Sequence, residues 1–273
     1  MRMDDGDAKG RASDGVRSAR RRYARVGVRA APARSPAEVT ARTPVAGRGS
    51  GPPRPASYLV LLDDAPLLTP GKKPVAVPTR GLAEGIAAEW AAQGAVLSPP
   101  SMPLTRLANT AIDGVCGREE AVRADVAKYA ACDLLCYRAD RPQPLVRRQR
   151  AAWDGVLGWA REALGVSLRV GAGVMPIAQP QEVAGAVGRA LAPFDCFGLT
   201  AMHVITSLTG SALLALALAR GRLSAEAAWA AAHVDEQFQI AQWGEDAEAA
   251  ARQRRRWGEM QAASRMLELL ARG

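Results

Sequence analysis

Between Leu223 and Gln242 the large side chains recur at helical spacing on two opposed faces. Wound at 3.6 residues per turn, Leu223, Ala227, Ala231, Val234 and Phe238 form one stripe, as a core-facing helix requires. The opposite face collects Trp229, Ala232, Glu236, Gln239 and Trp243, so that two indoles bracket a carboxylate and an amide. A solvated face does not ordinarily carry two tryptophans. Either a neighbouring element buries them, or they belong to a docking surface of mixed aromatic and polar character. Trp243-Gly244-Glu245-Asp246 closes the helix.

The rest of the chain divides by period. Tyr23 to Val28 predicts a first strand, and Ser57 to Asp64 a strand followed by a turn. Leu67 to Pro70 and Pro74 to Pro78 predict two further short strands bracketed by Gly and Pro. Together they make a small antiparallel sheet. Between the first two strands, Pro32 to Pro55 holds six prolines, which denies a ladder its backbone donors. Residues 31–56 are therefore expected to be an insertion or long loop. Residues 1–19, polar and glycine-rich with no period, read as a disordered basic tail.

After Pro78 the pattern turns helical: Leu82, Ile86 and Trp90 recur every four residues, with Thr79 placed to cap the first turn. Further helices are predicted over 104–115, 118–131, 143–164, 181–191, 198–220, 223–242 and 247–271, with Pro142, Pro144, Pro176, Pro180 and Pro193 between them. Ser224 can cap its helix, with Glu226 favourable in the first turn. Leu134 to Arg138 and Val166 to Val170 are strands or extended connections. The expected fold class is α+β, a small N-terminal antiparallel β domain over 20–78 followed by a larger, mostly helical domain over 79–273.

One run tests that reading. Cys196 to Ala219 is 24 residues without a formal charge, longer than the roughly 20 that cross a bilayer. His203, Thr206, Ser207, Thr209, Gly210 and Ser211 cluster at its middle, where hydrocarbon penalises them most. It reads instead as two buried helices, or one bent helix, broken near Thr209-Gly210-Ser211, and no stable membrane insertion is expected. In the last helix a core stripe of Trp257, Met260, Ser264, Leu267 and Leu270 accompanies the cationic run Arg252, Arg254, Arg255 and Arg256, close in sequence to Glu245, Asp246 and Glu248. Those charges balance one another locally, or a partner reads both signs.

The net charge of +9 would invite a nucleic-acid reading. However, residues 1–56 hold 13 Lys or Arg against 5 Asp or Glu, and the remaining residues 23 against 22. A basic tail on a balanced body lacks the cationic folded surface that nucleic acid needs. Cys116, Cys132, Cys136 and Cys196 are too few and too irregular for a disulfide framework, so reduced thiols are expected, and no second pair or spaced histidine completes a zinc site around Cys132 and Cys136. The N-terminus opens on Asp4, Asp5 and Asp7 without an apolar stretch, so no secretory signal is expected, and those acids oppose an Arg-rich organellar presequence over Arg11 to Arg29. A bacterial cytoplasm is the expected location, or the mitochondrial matrix in a eukaryote.

Enzyme templates fail. Gly71-Lys72-Lys73 lacks the hydroxyl of a phosphate loop, and Gly171-Ala172-Gly173 lacks the third glycine of a dinucleotide fingerprint. There is no serine elbow of GxSxG form. His203, inside the apolar run, is expected to be a satisfied core histidine, while His233 sits beside the polar face. No catalytic residue, metal or cofactor is assigned. The competing reading is a small-molecule enzyme using His233 with Glu236 or Asp235, which would need a concave site around them.

Several ordered segments resemble the family of assembly chaperones for the catalytic head of the F-type ATP synthase. They are Val77 to Gly94 (VPTRGLAEGIAAEWAAQG), Met102 to Asp113 (MPLTRLANTAID), Asp133 to Ala139 (DLLCYRA), Leu208 to Ser211 (LTGS), and Asp235 to Ile240 (DEQFQI) with Trp243-Gly244-Glu245-Asp246. The resemblance spans roughly 57–270. It implies a non-enzymatic chaperone, monomeric when free, that binds the unassembled alpha subunit and shields the surface destined for the beta subunit. It also implies a β domain followed by a helical one. In the family, acidic residues just after the Trp-Gly pair are associated with function. Glu245 matches that position, and Asp246 and Glu248 follow it. With Trp243, Glu236, Gln239 and Trp229 they make up the expected partner-binding set. At the front the chain departs from the family: residues 31–56 separate the first two strands, and Asp63-Asp64-Ala65 stands where Asp-Gly-Arg is expected.

Overall fold

The computed structural model describes residues 20–31, 57–173 and 175–272. The predicted tail over 1–19, and the predicted insertion apart from Ala31, lie outside the described residues. Tyr58-Leu-Val-Leu-Leu62 supplies the central strand because its branched and aromatic residues suit a half-buried pleat. This strand, β2 (Tyr58–Leu62), pairs antiparallel with β1 (Val26–Ala30), β3 (Ala65–Pro66) and β4 (Ala76–Val77). The first strand was expected from Tyr23, and the structure begins it three residues later. Asp63 is the reason: its carboxylate accepts from the Ala24 and Arg25 amides at 2.8–3.1 Å, while the Tyr23 hydroxyl donates to the Trp90 carbonyl at 2.7 Å. Those amide bonds hold the Asp63 carboxyl below the usual carboxylate range. At the other end the Ala31 amide donates to the Ser57 carbonyl at 2.9 Å, carrying the ladder one residue into the expected insertion.

Asp63 and Asp64 have φ of 47° and 71°. Two consecutive left-handed residues between paired strands make a tight hairpin turn, and aspartate tolerates that conformation better than most residues. The turn is therefore made without the glycine that the family pattern led one to expect. A second loop, between Leu67 and Val75, is pinned to the helices. Asp113 accepts from the Thr69 hydroxyl at 2.8 Å and from the Gly71 amide at 2.9 Å, and Lys73 Nζ donates to the Ile112 carbonyl at 3.1 Å. A side chain at Gly71 would stand 2.6 Å from Asp113 Oδ1. Replacing Asp113 with alanine should cost about 1 kcal/mol in urea denaturation; an unchanged midpoint would show the loop held by other means.

Ten α-helices follow among the described residues: α1 (Arg80–Ala91), α2 (Pro103–Thr110), α3 (Glu119–Tyr129), α4 (Gln143–Leu164), α5 (Gln181–Leu191), α6 (Cys196–Thr209), α7 (Ala212–Ala219), α8 (Ala225–Ala232), α9 (Val234–Trp243) and α10 (Ala247–Ala271). A single π-helical turn over Ala111–Val115 extends α2. Thr79 caps α1 as expected, and its hydroxyl also donates to the Leu269 carbonyl at 2.9 Å, tying the first helix to the last. The uncharged run is two helices. Gly210, at φ 67°, ends α6, and the Ser211 hydroxyl caps α7 by accepting from the Leu214 amide. Every residue from Ala212 to Leu218 is buried, so α7 forms the centre of the bundle. Among the described residues no helix is long and apolar enough to cross a membrane. One apolar cluster runs from Val60, Val75 and Val77 of the sheet through Leu82 and Ile86 to Met266 and Leu269, so sheet and helices share a core. The architecture is α+β.

The strand expected over Leu67 to Pro70 lies earlier, at Ala65–Pro66, leaving only an isolated bridge from Leu68 to Pro74. Three further local expectations change. Leu134–Cys136 forms a 3-10 turn, and the extended pair is instead β5 (Tyr137–Arg138) beside β6 (Gly171–Ala172), parallel to each other. The cysteines are not all reduced: Cys116 and Cys196 form a disulfide, their Cα atoms 5.0 Å apart across 80 residues of sequence. The fold brings together the end of the π turn and the start of α6, which spacing along the chain could not reveal. Cys132 and Cys136 stay free. Burial, then the nearby Asp133 charge, pushes the Cys136 thiol up to about 12, so it is inert as a nucleophile. His203 is the third. It is not a core residue, since its side chain is 40% exposed and Nε2 lies 3.1 Å from Asp125 Oδ2. That contact, followed by Lys128, holds the Asp125 carboxyl down.

Candidate functional site

The helix expected over 223–242 is broken at His233, whose backbone (φ −114°, ψ 25°) leaves the helical region. Its ring Nδ1 lies 2.8 Å from the Trp229 carbonyl, which can only accept, so Nδ1 carries the proton. The Trp229 and His233 rings stack at 3.9 Å, and His233 is 4% exposed. From the other side, buried Trp153 of α4 donates its indole N–H to the Ala231 carbonyl at 2.7 Å. These two contacts occupy the carbonyls that end α8.

The break parts the two stripes. Ala228 and Ala231 are buried, whereas Ala227, expected in the core, is exposed. Trp229 packs on Trp257 of α10, ring centres 5.4 Å apart. Past the break, α9 has no fully buried residue. It is held at its edge: Asp235 accepts from buried Gln149 at 2.7 Å, and the Arg148 guanidinium lies 5.2 Å over the Phe238 ring.

Gly244 then turns the chain. Its φ of 88° and ψ of 170° belong to a region essentially restricted to glycine. Two residues on, Asp246 caps α10 by accepting from the Ala249 amide at 2.7 Å. The elbow encloses a groove of about 340 Å³. Glu236, Gln239, Trp243, Glu245 and Asp246, all expected from the sequence, line it together. Trp229 and Glu248 do not. The facing wall is Arg252, Gln253 and Arg256 of α10. Sequence reading missed Gln253, although its spacing from Ala249 and Arg256 places it on the same helical face.

Trp243 is 88% exposed, which is unusual for an indole. Of the three acids near the arginine run, only Glu248 forms an ion pair among the described residues, at 3.6 Å from Arg252. Arg256 donates instead to the Leu208 carbonyl of α6 at 2.9 Å. Gln253 Nε2 is buried without a hydrogen-bond partner. His233 Nε2 lies 3.7 Å from Glu236 Oε2, too far for a hydrogen bond, and the ring is shut beneath Trp229. The His233–Glu236 pair is thus closed to solvent on its histidine side, while the Trp243 indole beside it stands open.

The Atp12 structure of Paracoccus denitrificans superimposes with a TM-score of 0.80 at 40% identity, covering 92% of this chain and 98% of that one. This chain belongs to the ATP12 chaperone family. The model of that family, described as ATP12 chaperone protein, matches residues 39–161. An Asp-to-Lys mutant of the P. denitrificans Atp12p is similar to the same degree, with 39% identity over 92% of this chain and 97% of that one and a TM-score of 0.80. The Atu1473 protein of Agrobacterium tumefaciens, described as a candidate chaperone, is 47% identical over 79% of this chain and 81% of its own, with a TM-score of 0.76.

Residues within several of the segments that resembled an ATP synthase chaperone family join separate elements. Glu89, in the first, accepts from the amides of Leu104 and Thr105 in the second, at 2.7 and 2.8 Å, and caps α2. Burial raises its carboxyl above the usual range against those bonds. Asp133, in the third, accepts from the Leu213 amide beside Leu208 to Ser211. At the elbow, no atom lies within 4 Å of where a side chain on Gly244 would start, so a substitution there strains the backbone alone. Gly244→Ala is expected to cost about 1–3 kcal/mol or to swing α9 away from α10. Denaturation together with quenching of Trp243 emission would detect either, and a variant unchanged in both would refute the role.

Proposed function

We propose that this chaperone binds the unassembled alpha subunit of the F-type ATP synthase catalytic head and yields it when the beta subunit takes its place. An orphan subunit exposes an apolar interface that self-associates, and a temporary cover needs aromatic contact with enough polar surface to let go. The observation that carries this reading is the Trp243 indole, almost wholly exposed at the elbow among carboxylates. Membership of the ATP12 chaperone family supports it, as does likeness to Atp12 of P. denitrificans.

In this reading the chain makes and breaks no covalent bonds, carries no cofactor, is monomeric when free and works in a bacterial cytoplasm. Its helical part, from residue 79 onward, is the domain that meets the partner, and the sheet over 20–78 is the smaller one. Glu236, Gln239, Trp243, Glu245 and Asp246 form the contact surface, and Trp229 and Glu248, outside the groove, complete the proposed partner-binding set. Co-expression with the alpha subunit followed by size-exclusion chromatography tests this. Co-elution of the two, with alpha kept soluble, is expected; alpha aggregating alone while the chaperone elutes as a free monomer would overturn the proposal.

A further inference from the structure

We infer that the groove between α9 and α10 takes a lysine or arginine side chain of the partner, laid over the Trp243 indole between the carboxylates of Glu236 and Glu245. The inference rests on the alpha-subunit reading and names the chemistry by which that partner is held. It follows from which charges in the groove are already engaged. Asp246 is committed to the cap of α10, Arg252 to Glu248, and Arg256 to the Leu208 carbonyl. Glu245 has no hydrogen bond or ion pair among the described residues, and Glu236 meets only the covered His233 ring at 3.7 Å. Both acids line the groove with the exposed indole.

The uncommitted charge is therefore negative, and it lies beside an aromatic face whose quadrupole attracts cations. A long basic side chain fits both features, because its alkyl stem can lie along the indole while its head reaches the carboxylates. An acidic segment would instead have to compete for Arg252 and Arg256 and pass two free acids. Charge complementarity thus selects a cationic occupant.

The test uses the full chain and the isolated alpha subunit, with affinity measured by calorimetry at low and at high salt. Trp243→Leu is expected to weaken binding at least about tenfold, and Trp243→Phe, which keeps an aromatic face, by less. The double variant Glu236→Gln with Glu245→Gln should weaken binding at low salt and flatten its salt dependence. All three positions are exposed, so circular dichroism should match the parent. If the double variant binds with unchanged affinity and salt dependence, the inference is overturned while the alpha-subunit reading stands. Tighter binding by that variant also overturns it, since the partner would then be presenting an acid to the arginines. A parent chain with no affinity for alpha ends both.

Discussion

Glu245→Lys is expected to weaken capture of the alpha subunit by at least about 100-fold, because it puts a cation where the groove receives one, and like charges facing each other in an interface cost several kcal/mol. Glu245 makes no contact that the fold depends on: it is exposed, lies outside the helices and follows the Gly244 turn. Thermal melting and circular dichroism should therefore match the parent chain, which separates a binding defect from a folding one. Capture would be read by pull-down with tagged alpha subunit. The Glu245→Gln variant should fall between parent and lysine variant, since it removes attraction without adding repulsion. Undiminished capture by the lysine variant would remove Glu245 from the contact surface.

The stability of the parent relative to an Asp133→Asn variant is expected to fall by about 3 kcal/mol between roughly pH 4 and pH 7. Asp133 is fully buried, accepting from the Leu135 and Leu213 amides at 3.2 Å, with the Ser211 hydroxyl as a further partner. Burial raises its carboxyl from 3.8 to about 6 despite those bonds. The folded chain thus holds this proton more tightly than the unfolded chain does. Stability from the group is complete below the unfolded value and declines as pH rises to about 6, after which it is constant. The asparagine cannot titrate, so subtracting its urea-denaturation curve isolates Asp133 from the other carboxylates. Curves that remain parallel across the range would show that Asp133 does not titrate between the two states.

Much of the helical part was legible because its signals are local. Thr79 and Ser224 cap helices where hydroxyls precede apolar periodicity. The uncharged run broke at Thr209-Gly210-Ser211 because a left-handed glycine followed by a capping serine is written in adjacent residues. The acidic, indole-bearing end of α9 was equally visible, and five of its expected residues meet in one groove. What failed was the extrapolation of one helical period through His233. The Trp229 carbonyl, the Trp229 ring and Trp153 of α4 interrupt that helix, and Trp153 lies 78 residues from the Ala231 carbonyl it bonds.

The sequence by itself determined that a small sheet precedes a helical region, the Thr79 and Ser224 caps, the charge of the tail and the chemistry of the elbow. All of these depend on residues within a turn or two of one another. The tertiary structure alone decided that Cys116 meets Cys196, that His203 faces outward while His233 is closed in, that Asp133 reaches α7, and that Trp229 turns toward Trp257 instead of joining Trp243. Each of those outcomes is a contact between elements distant in sequence or turned by a backbone break. Packing of the whole core selects such contacts, and no periodicity along the chain records them.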